Sequence, residues 1–231
     1  MARDTRNAMV KAIEAIGARM IGDLPDHASA RNMQAEVNRL RLKAEALDTV
    51  HRSRNPMDTP SAHALKVAKL ARTLNTEATA TINRAGQILA EGLRDVQRRM
   101  DEKVNMKPDA FAEEIRRRFF EMKPEKKADT IKKLVDQNRG PELAAIVHAP
   151  EFLTGISAQE RDSYGQMMLG RHAAEEVAEA EKLSDVFDAV YAATRAAETM
   201  VKEMTDPTHL ARIESEAAAA DAAIAAFNQA E

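Results

Sequence analysis

Cysteine and tryptophan are absent from the 231-residue chain, and aromatic residues make up only 3% of it. Without cysteine the chain has no disulfide, no thiolate metal site and no cysteine nucleophile. Hydrophobic residues reach 44%, but many of them are alanine, which buries little area. Thin seams between helices are therefore favoured over a thick globular core.

Long apolar runs are also missing, and none approaches the roughly 20 residues that a membrane-spanning helix needs. Lys11 and Glu14 interrupt the apolar character of the N-terminal segment, which a secretory signal would require. One face of residues 4–22 would suit a lipid interface, but packing on the next helix is favoured. We expect a soluble chain without membrane contact.

Apolar residues recur at steps of three and four along most of the chain, which is the pattern of amphipathic helices. The predicted fold is all-α, with long amphipathic helices, a central cluster of short helices and a C-terminal antiparallel helical hairpin. We place the N-terminal long-helix region at residues 1–105, the compact short-helix region at 106–172 and the hairpin at 173–231.

The longest helix is predicted over residues 61–105, a stretch that contains no proline. Thr59 is placed to cap it, with Pro60 at its first position. Its apolar stripe recurs about every 3.7 residues, so we expect a straight or slightly right-handed seam. The stripe consists of Val67, Leu70, Leu74, Ala78, Ile82, Ala85, Leu89, Leu93, Val96, Met100 and Val104.

Two further stripes define the predicted hairpin, whose narrow alanine-rich faces allow close contact. The first comprises Val177, Ala180, Ser184, Phe187, Tyr191, Thr194, Ala197, Val201 and Met204. The second comprises Leu210, Ile213, Ala217, Ala220, Ile224 and Phe227. In the short-helix region, Phe111, Ile115, Phe119 and Met122 lie at helical spacing, which favours a core position for the phenylalanines.

No arrangement of residues typical of catalysis occurs. Glycine-rich phosphate loops and nucleophile motifs are missing, and none of the six histidines has a second histidine four residues on. His172 with Glu175, and Asp206 with His209, have partly suitable metal spacing, but caps or surface pairs are favoured. We predict no catalytic, cofactor-binding or metal-binding residues, no cofactor and no enzymatic activity.

Charge is unevenly distributed, since residues 61–133 carry a net +6 and residues 134–231 a net −11. A basic stretch beside aromatics could contact nucleic-acid phosphates and bases, although nearby glutamates weaken the field. We predict a basic contact surface for nonspecific DNA or an acidic partner. Its residues are Arg94, Arg98, Arg99, Arg116, Arg117, Arg118, Lys126 and Lys127.

Three segments carry a family resemblance: Asn138-Arg-Gly-Pro-Glu-Leu-Ala-Ala-Ile-Val147, Ala149-Pro-Glu-Phe-Leu-Thr-Gly-Ile-Ser157, and Tyr164 to Arg171-His-Ala-Ala-Glu175. With the Ala/Glu-rich helices, they resemble small helical structural proteins encoded among the particle genes of tailed bacteriophages. The resemblance covers roughly residues 105–205, and no residue in it performs chemistry.

The resemblance implies a non-enzymatic virion or assembly component that forms a homo-oligomer. It would be a head–tail adaptor or connector, an internal or ejected protein, or a scaffold. Its partners would be other virion proteins such as portal or tail components, and its location the virion, or the host cytoplasm during assembly. Two alternatives remain from the residues themselves: a cellular coiled-coil module that bridges partners, and a DNA-contacting helical protein.

Overall fold

The computed structural model describes residues 8–22 and 27–229, which form ten helices and no strand. The predicted all-α fold is confirmed. The helices are α1 (Ala8–Gly22), α2 (Ala28–Arg52), α3 (Pro60–Val104), α4 (Ala112–Phe120), α5 (Pro124–Asp136), α6 (Gly140–Val147), α7 (Glu151–Thr154), α8 (Ala158–His172), α9 (Ala174–Met204) and α10 (Pro207–Gln229).

Helix α3 begins and ends where its local sequence directs. The Thr59 hydroxyl accepts a hydrogen bond from the Ala62 amide at 3.1 Å, and Pro60 occupies the first helical position. At the other end, Asn105 has a φ of 44°, a left-handed conformation that stops the helix. The predicted helix over residues 61–105 is therefore displaced by a single residue at each end.

The chain divides into two compact units. The first comprises residues 1–89 and 184–231, and the second comprises residues 90–183. The regions predicted as 1–105, 106–172 and 173–231 follow helix length along the sequence. The units follow packing, and their limits fall inside α3 and α9.

In the first unit α1 packs against α2. Val10 and Ile13 of α1 are fully buried, as are Met33 and Val37 of α2. Ile13, which belongs to the face of α1 that a lipid interface would need, is therefore covered within the protein. None of the helices in the described ranges combines the length and apolar character that crossing a bilayer requires.

The predicted stripe of α3 is mostly correct, because Val67, Leu74, Ala85 and Val96 are buried. The predicted stripe of α9 was wrong in its middle turns, where Ser184 and Tyr191 are exposed. A second set of apolar residues at three- and four-residue steps occupies the buried face instead. That set is Leu183, Val186, Val190, Ala193, Ala197 and Met200.

Helix α10 differs from the predicted hairpin partner. Among the stripe residues whose side chains the structure describes, Ile213 alone is buried, and every residue from 214 to 226 is exposed. Ile224 retains 60% of its accessible surface. The seam predicted along the whole of α10 therefore stops after its second turn, while Phe227 lies outside the described side chains.

In the second unit α6 lies at the centre and packs against α4, α5 and α8. Its residues 143–147 are all buried, together with Phe119, Ile131 and Met168 of the surrounding helices. The core position predicted for the phenylalanines is correct for Phe119 and wrong for Phe111, which is 70% exposed. Only one phenylalanine of the pair at 119 and 120 can face inward, because adjacent helical residues point about 100° apart.

The end of α3 is held by the loop before α6. The Asn138 amide Nδ2 donates to the Lys103 carbonyl oxygen at 3.0 Å, and Asn138 itself has a φ of 52°. Gly140 is buried so close to Val104 that a Cβ at this position would overlap the Val104 carbonyl oxygen. The approach of the two backbones therefore requires glycine here.

Candidate interaction surface

The eight basic residues predicted as a contact surface lie on two separate parts of the second unit. Arg94, Arg98 and Arg99 occupy the last turns of α3, and the other five belong to α4 and α5. Arg94 and Arg98 line an open depression of roughly 440 Å³ with Lys107, and none of the α4 or α5 residues contributes to it. The structure thus does not bring all eight residues together.

Carboxylates bind Arg98 and Arg99 at the end of α3. Arg98 binds Asp95 at 2.6 Å and Glu102 at 2.9 Å, and both interactions raise its pKa. Arg99 binds Glu179 of α9 at 2.7 Å. Exposed ion pairs of this kind add little stability, but their carboxylates offset the positive charge of the arginines that would otherwise attract nucleic-acid phosphates. This group is therefore a weak candidate for an anion site.

In α4 the single carboxylate of Glu114 binds both Arg117 and Arg118 and offsets part of their charge. Arg118 Nε donates to Glu114 Oε1 at 2.8 Å, and Arg117 Nη2 donates to Glu114 Oε2 at 3.3 Å. The hydrogen bond from Arg118 is the main reason that the pKa of Glu114 lies below its ordinary value. Arg116 is half-buried on the same helix.

Lys127 has a structural task. Its Nζ donates to the Thr154 carbonyl oxygen at 2.9 Å, which joins α5 to the end of α7. The same atom lies 5.2 Å from the centroid of the Phe119 ring and 5.4 Å from that of Phe120. Both distances are within the range of cation–π attraction. Lys127 therefore fixes α7 beside α4, and Lys126 next to it remains exposed.

Exposed apolar side chains accompany this junction. Phe120 is 54% exposed at the end of α4, and Phe152 and Leu153 of α7 are 76% and 39% exposed. Helix α4 packs against α7, and Lys127 contacts both. We call Phe120, Lys127, Phe152 and Leu153 the aromatic–lysine patch. Sequence spacing does not reveal this patch, because Phe152 is far from α4 along the chain.

Strong positive charge surrounds the patch in sequence. Residues 116–133 contain eight lysines and arginines against three carboxylates, Glu121, Glu125 and Asp129. Lys123 and Lys126 are exposed. An apolar centre with a basic rim is an arrangement that suits an acidic partner with apolar side chains.

Neither of the two histidine–carboxylate pairs, His172 with Glu175 and Asp206 with His209, forms a metal site within the described residues. Asp206 caps α10, because its Oδ1 accepts hydrogen bonds from the Thr208 and His209 amides at 2.9 and 3.2 Å. The His172 ring Nε2 contacts the Val135 carbonyl oxygen at 2.5 Å. Within residues 8–22 and 27–229, no cluster of three or more His, Asp or Glu side chains could hold a metal ion.

Carboxylates with little exposure bind basic residues of neighbouring helices. Glu36 of α2 accepts a hydrogen bond from Arg84 Nε of α3 at 2.7 Å, and Arg84 also contacts Glu77. Lys43 bonds to Glu77 and is the largest cause of the lowered pKa of that carboxyl. The lowered pKa keeps the Glu77 carboxylate ionised, so Glu77 links α3 to α2 through its ion pair with Lys43.

The second unit contains a similar pair, in which Lys103 of α3 binds Glu176 of α9. The hydrogen bond from Lys103 is the main cause of the lowered pKa of Glu176.

Comparisons with protein-family models, with curated proteins and with solved structures give no match to this chain.

Proposed function

We propose that this chain is a non-enzymatic structural component of a tailed-bacteriophage particle that assembles as an oligomer. Within that class it is a head–tail adaptor or connector, an internal or ejected protein, or a scaffold. The observation that carries the proposal is the end of α10. Its residues 214–226 are helical and exposed, and their apolar stripe includes Ala217, Ala220 and Ile224.

A helix of this length has little stability of its own in water. Isolated helices shorter than about 12–15 residues are marginal even when rich in alanine. The stripe of α10 continues at steps of three and four beyond Ile213, the last buried residue of α10 up to residue 226. Continuation of an apolar stripe past the core favours a surface that another chain covers.

The phage assignment is supported by the resemblance of residues 138–147, 149–157 and 164–175. In the structure these residues supply α6, α7 and α8 with their connections. Residues 143–147 are buried, and Ser157 forms a capping box with Glu160 at the start of α8. The resemblance therefore falls on residues with packing roles, as expected of an assembly protein found in the virion or, before completion, in the host cytoplasm.

The test is an association experiment on the full chain. Sedimentation velocity over a range of concentrations should show a defined oligomer, and purified portal or tail protein should retain the chain. Ile224→Asp should reduce self-association, while Met57→Asp, at an exposed methionine in the turn before α3, should not. A chain that stays monomeric and binds no particle protein contradicts the proposal.

Nonspecific DNA contact is the second candidate, and the aromatic–lysine patch is the observation that favours it. The compensation of Arg98, Arg117 and Arg118 by carboxylates argues for weak binding. This function would be supported if duplex DNA retains the chain and the retention falls steeply with salt. The variants Lys123→Gln and Lys126→Gln should each reduce that retention. Retention that both variants leave unchanged would exclude this surface as the DNA contact.

A further inference from the structure

We infer that the exposed end of α10 in one copy docks on the aromatic–lysine patch of a second copy, so that subunits join head to tail. We call residues 214–229 the α10 extension. The inference rests on the proposed oligomeric function and names the two surfaces that meet.

The α10 extension has the chemistry of an acidic, apolar ligand. Residues 214–229 contain three carboxylates, Glu214, Glu216 and Asp221, and neither lysine nor arginine. No basic residue lies in the last turn of α10 to offset the partial negative charge of its carbonyl end. Ile224 supplies an exposed branched side chain between alanines, which allow a close approach of the helix backbone.

The aromatic–lysine patch has the opposite character. Phe120, Phe152 and Leu153 present exposed apolar area, and Lys123 and Lys126 lie exposed nearby in the sequence. A lysine-rich rim complements both the carboxylates and the carbonyl end of an arriving helix. Apolar contact at the centre and opposite charge at the rim are the features of a specific interface.

Charge decides against pairing each surface with itself. Two α10 extensions side by side would bring six carboxylates together, of which Glu214 and Glu216 each pair with one arginine of their own subunit, Arg72 and Arg212. Two patches facing each other would oppose two lysine-rich segments. Like charges across an interface disfavour association, whereas the extension and the patch attract. A contact between two different surfaces is heterologous, so repeated copies close into a ring or continue as a filament.

Mixing of two blocked variants tests this arrangement directly. Ile224→Asp blocks the extension and leaves the patch intact, and the double variant Phe120→Ser/Phe152→Ser blocks the patch and leaves the extension intact. We expect each variant alone to associate roughly tenfold or more weakly than the native chain, because each loses the apolar centre of the interface. We expect their mixture to form a dimer that contains one copy of each and grows no further.

The control is Phe111→Ser, at an exposed phenylalanine outside the patch that should leave association unchanged. Thermal unfolding of every variant checks that the fold is intact. Self-association of the patch variant at native strength, or a mixture that stays monomeric while the native chain associates, overturns head-to-tail docking and leaves the proposed function standing. A native chain that remains monomeric yet binds particle proteins overturns the docking and the oligomeric part of the proposed function, and leaves the assignment to the particle standing.

Discussion

Lys103 Nζ lies 2.7 Å from Glu176 Oε1, and the second oxygen of the same carboxylate is buried with no hydrogen-bond partner among the described residues. The pair joins the last turn of α3 to the first turn of α9. A buried carboxylate is sensitive to the loss of the cation that bonds to it. Glu176 is therefore the group through which Lys103 should affect stability.

Acid should weaken the fold through this pair. The pKa of Glu176 is lowered in the folded chain, so its stabilising contribution is complete above the ordinary glutamate pKa of about 4.3 and is lost as the pH falls through the lowered value. Lys103→Met should lower the urea midpoint at neutral pH and flatten its fall in acid. The exposed Lys132→Met is the control, and an equal acid slope in both variants would contradict the assignment.

Glycine substitutions should act in opposite directions at two positions. Gly140→Ala places a Cβ against the Val104 carbonyl oxygen and within 2.9 Å of the Asn105 carbonyl oxygen, and backbone atoms cannot rotate away. We expect a loss of about 3 kcal/mol or more in the free energy of unfolding. Gly165→Ala in α8 meets no atom within 4 Å and should stabilise by about 0.5–1 kcal/mol. Urea unfolding at neutral pH measures both, and losses of similar size would contradict the close approach at Gly140.

Adjacent lysines of α5 should also differ. Lys127→Met leaves the Thr154 carbonyl oxygen without its donor and removes the cation from the Phe119 and Phe120 rings. We expect a loss of about 1–2 kcal/mol in the free energy of unfolding. Lys126→Met, one residue away and exposed, should change it by less than about 0.5 kcal/mol. Indistinguishable urea midpoints of the Lys127→Met and Lys126→Met variants would show that the Lys127 contacts do not stabilise the fold.

The face of α9 that packs can be tested by truncation. Leu183 is fully buried, so Leu183→Ala should cost about 2–5 kcal/mol in the free energy of unfolding. Tyr191 is 50% exposed, and Tyr191→Ala should cost less than about 0.5 kcal/mol. Thermal or urea unfolding measures both, and the reverse order would restore the stripe predicted from the sequence.

Helix α9 shows what periodicity in the sequence cannot predict. Periodicity and proline positions predicted the all-α fold and placed α3 to within a residue, because local capping sets its ends. In α9 two apolar sets recur at nearly the same spacing, one through Leu183 and one through Tyr191. Spacing identifies an amphipathic helix, but the neighbouring helices decide which of two apolar faces is covered.

The candidate surface illustrates the same limit for function. The sequence predicted the basic residues, and the pairing of Glu114 with Arg117 and Arg118 follows from their separations of three and four residues. Lys127 and Thr154 are 27 residues apart, so no local rule predicts their hydrogen bond. The exposed position of Phe152 likewise depends on how a single-turn helix meets α4.

In the proposed head-to-tail assembly, the exposed alanine-rich end of α10 would couple its local order to the concentration of subunits. A helix that little else covers exchanges its amide hydrogens and frays far more readily than the core helices. A neighbouring subunit that covers the end of α10 would suppress this opening. Association would then raise the helix content of the chain without changing its fold. Proteases that need an unfolded stretch would cut free copies within residues 214–229 first and spare incorporated ones, so susceptibility to cleavage distinguishes the two populations.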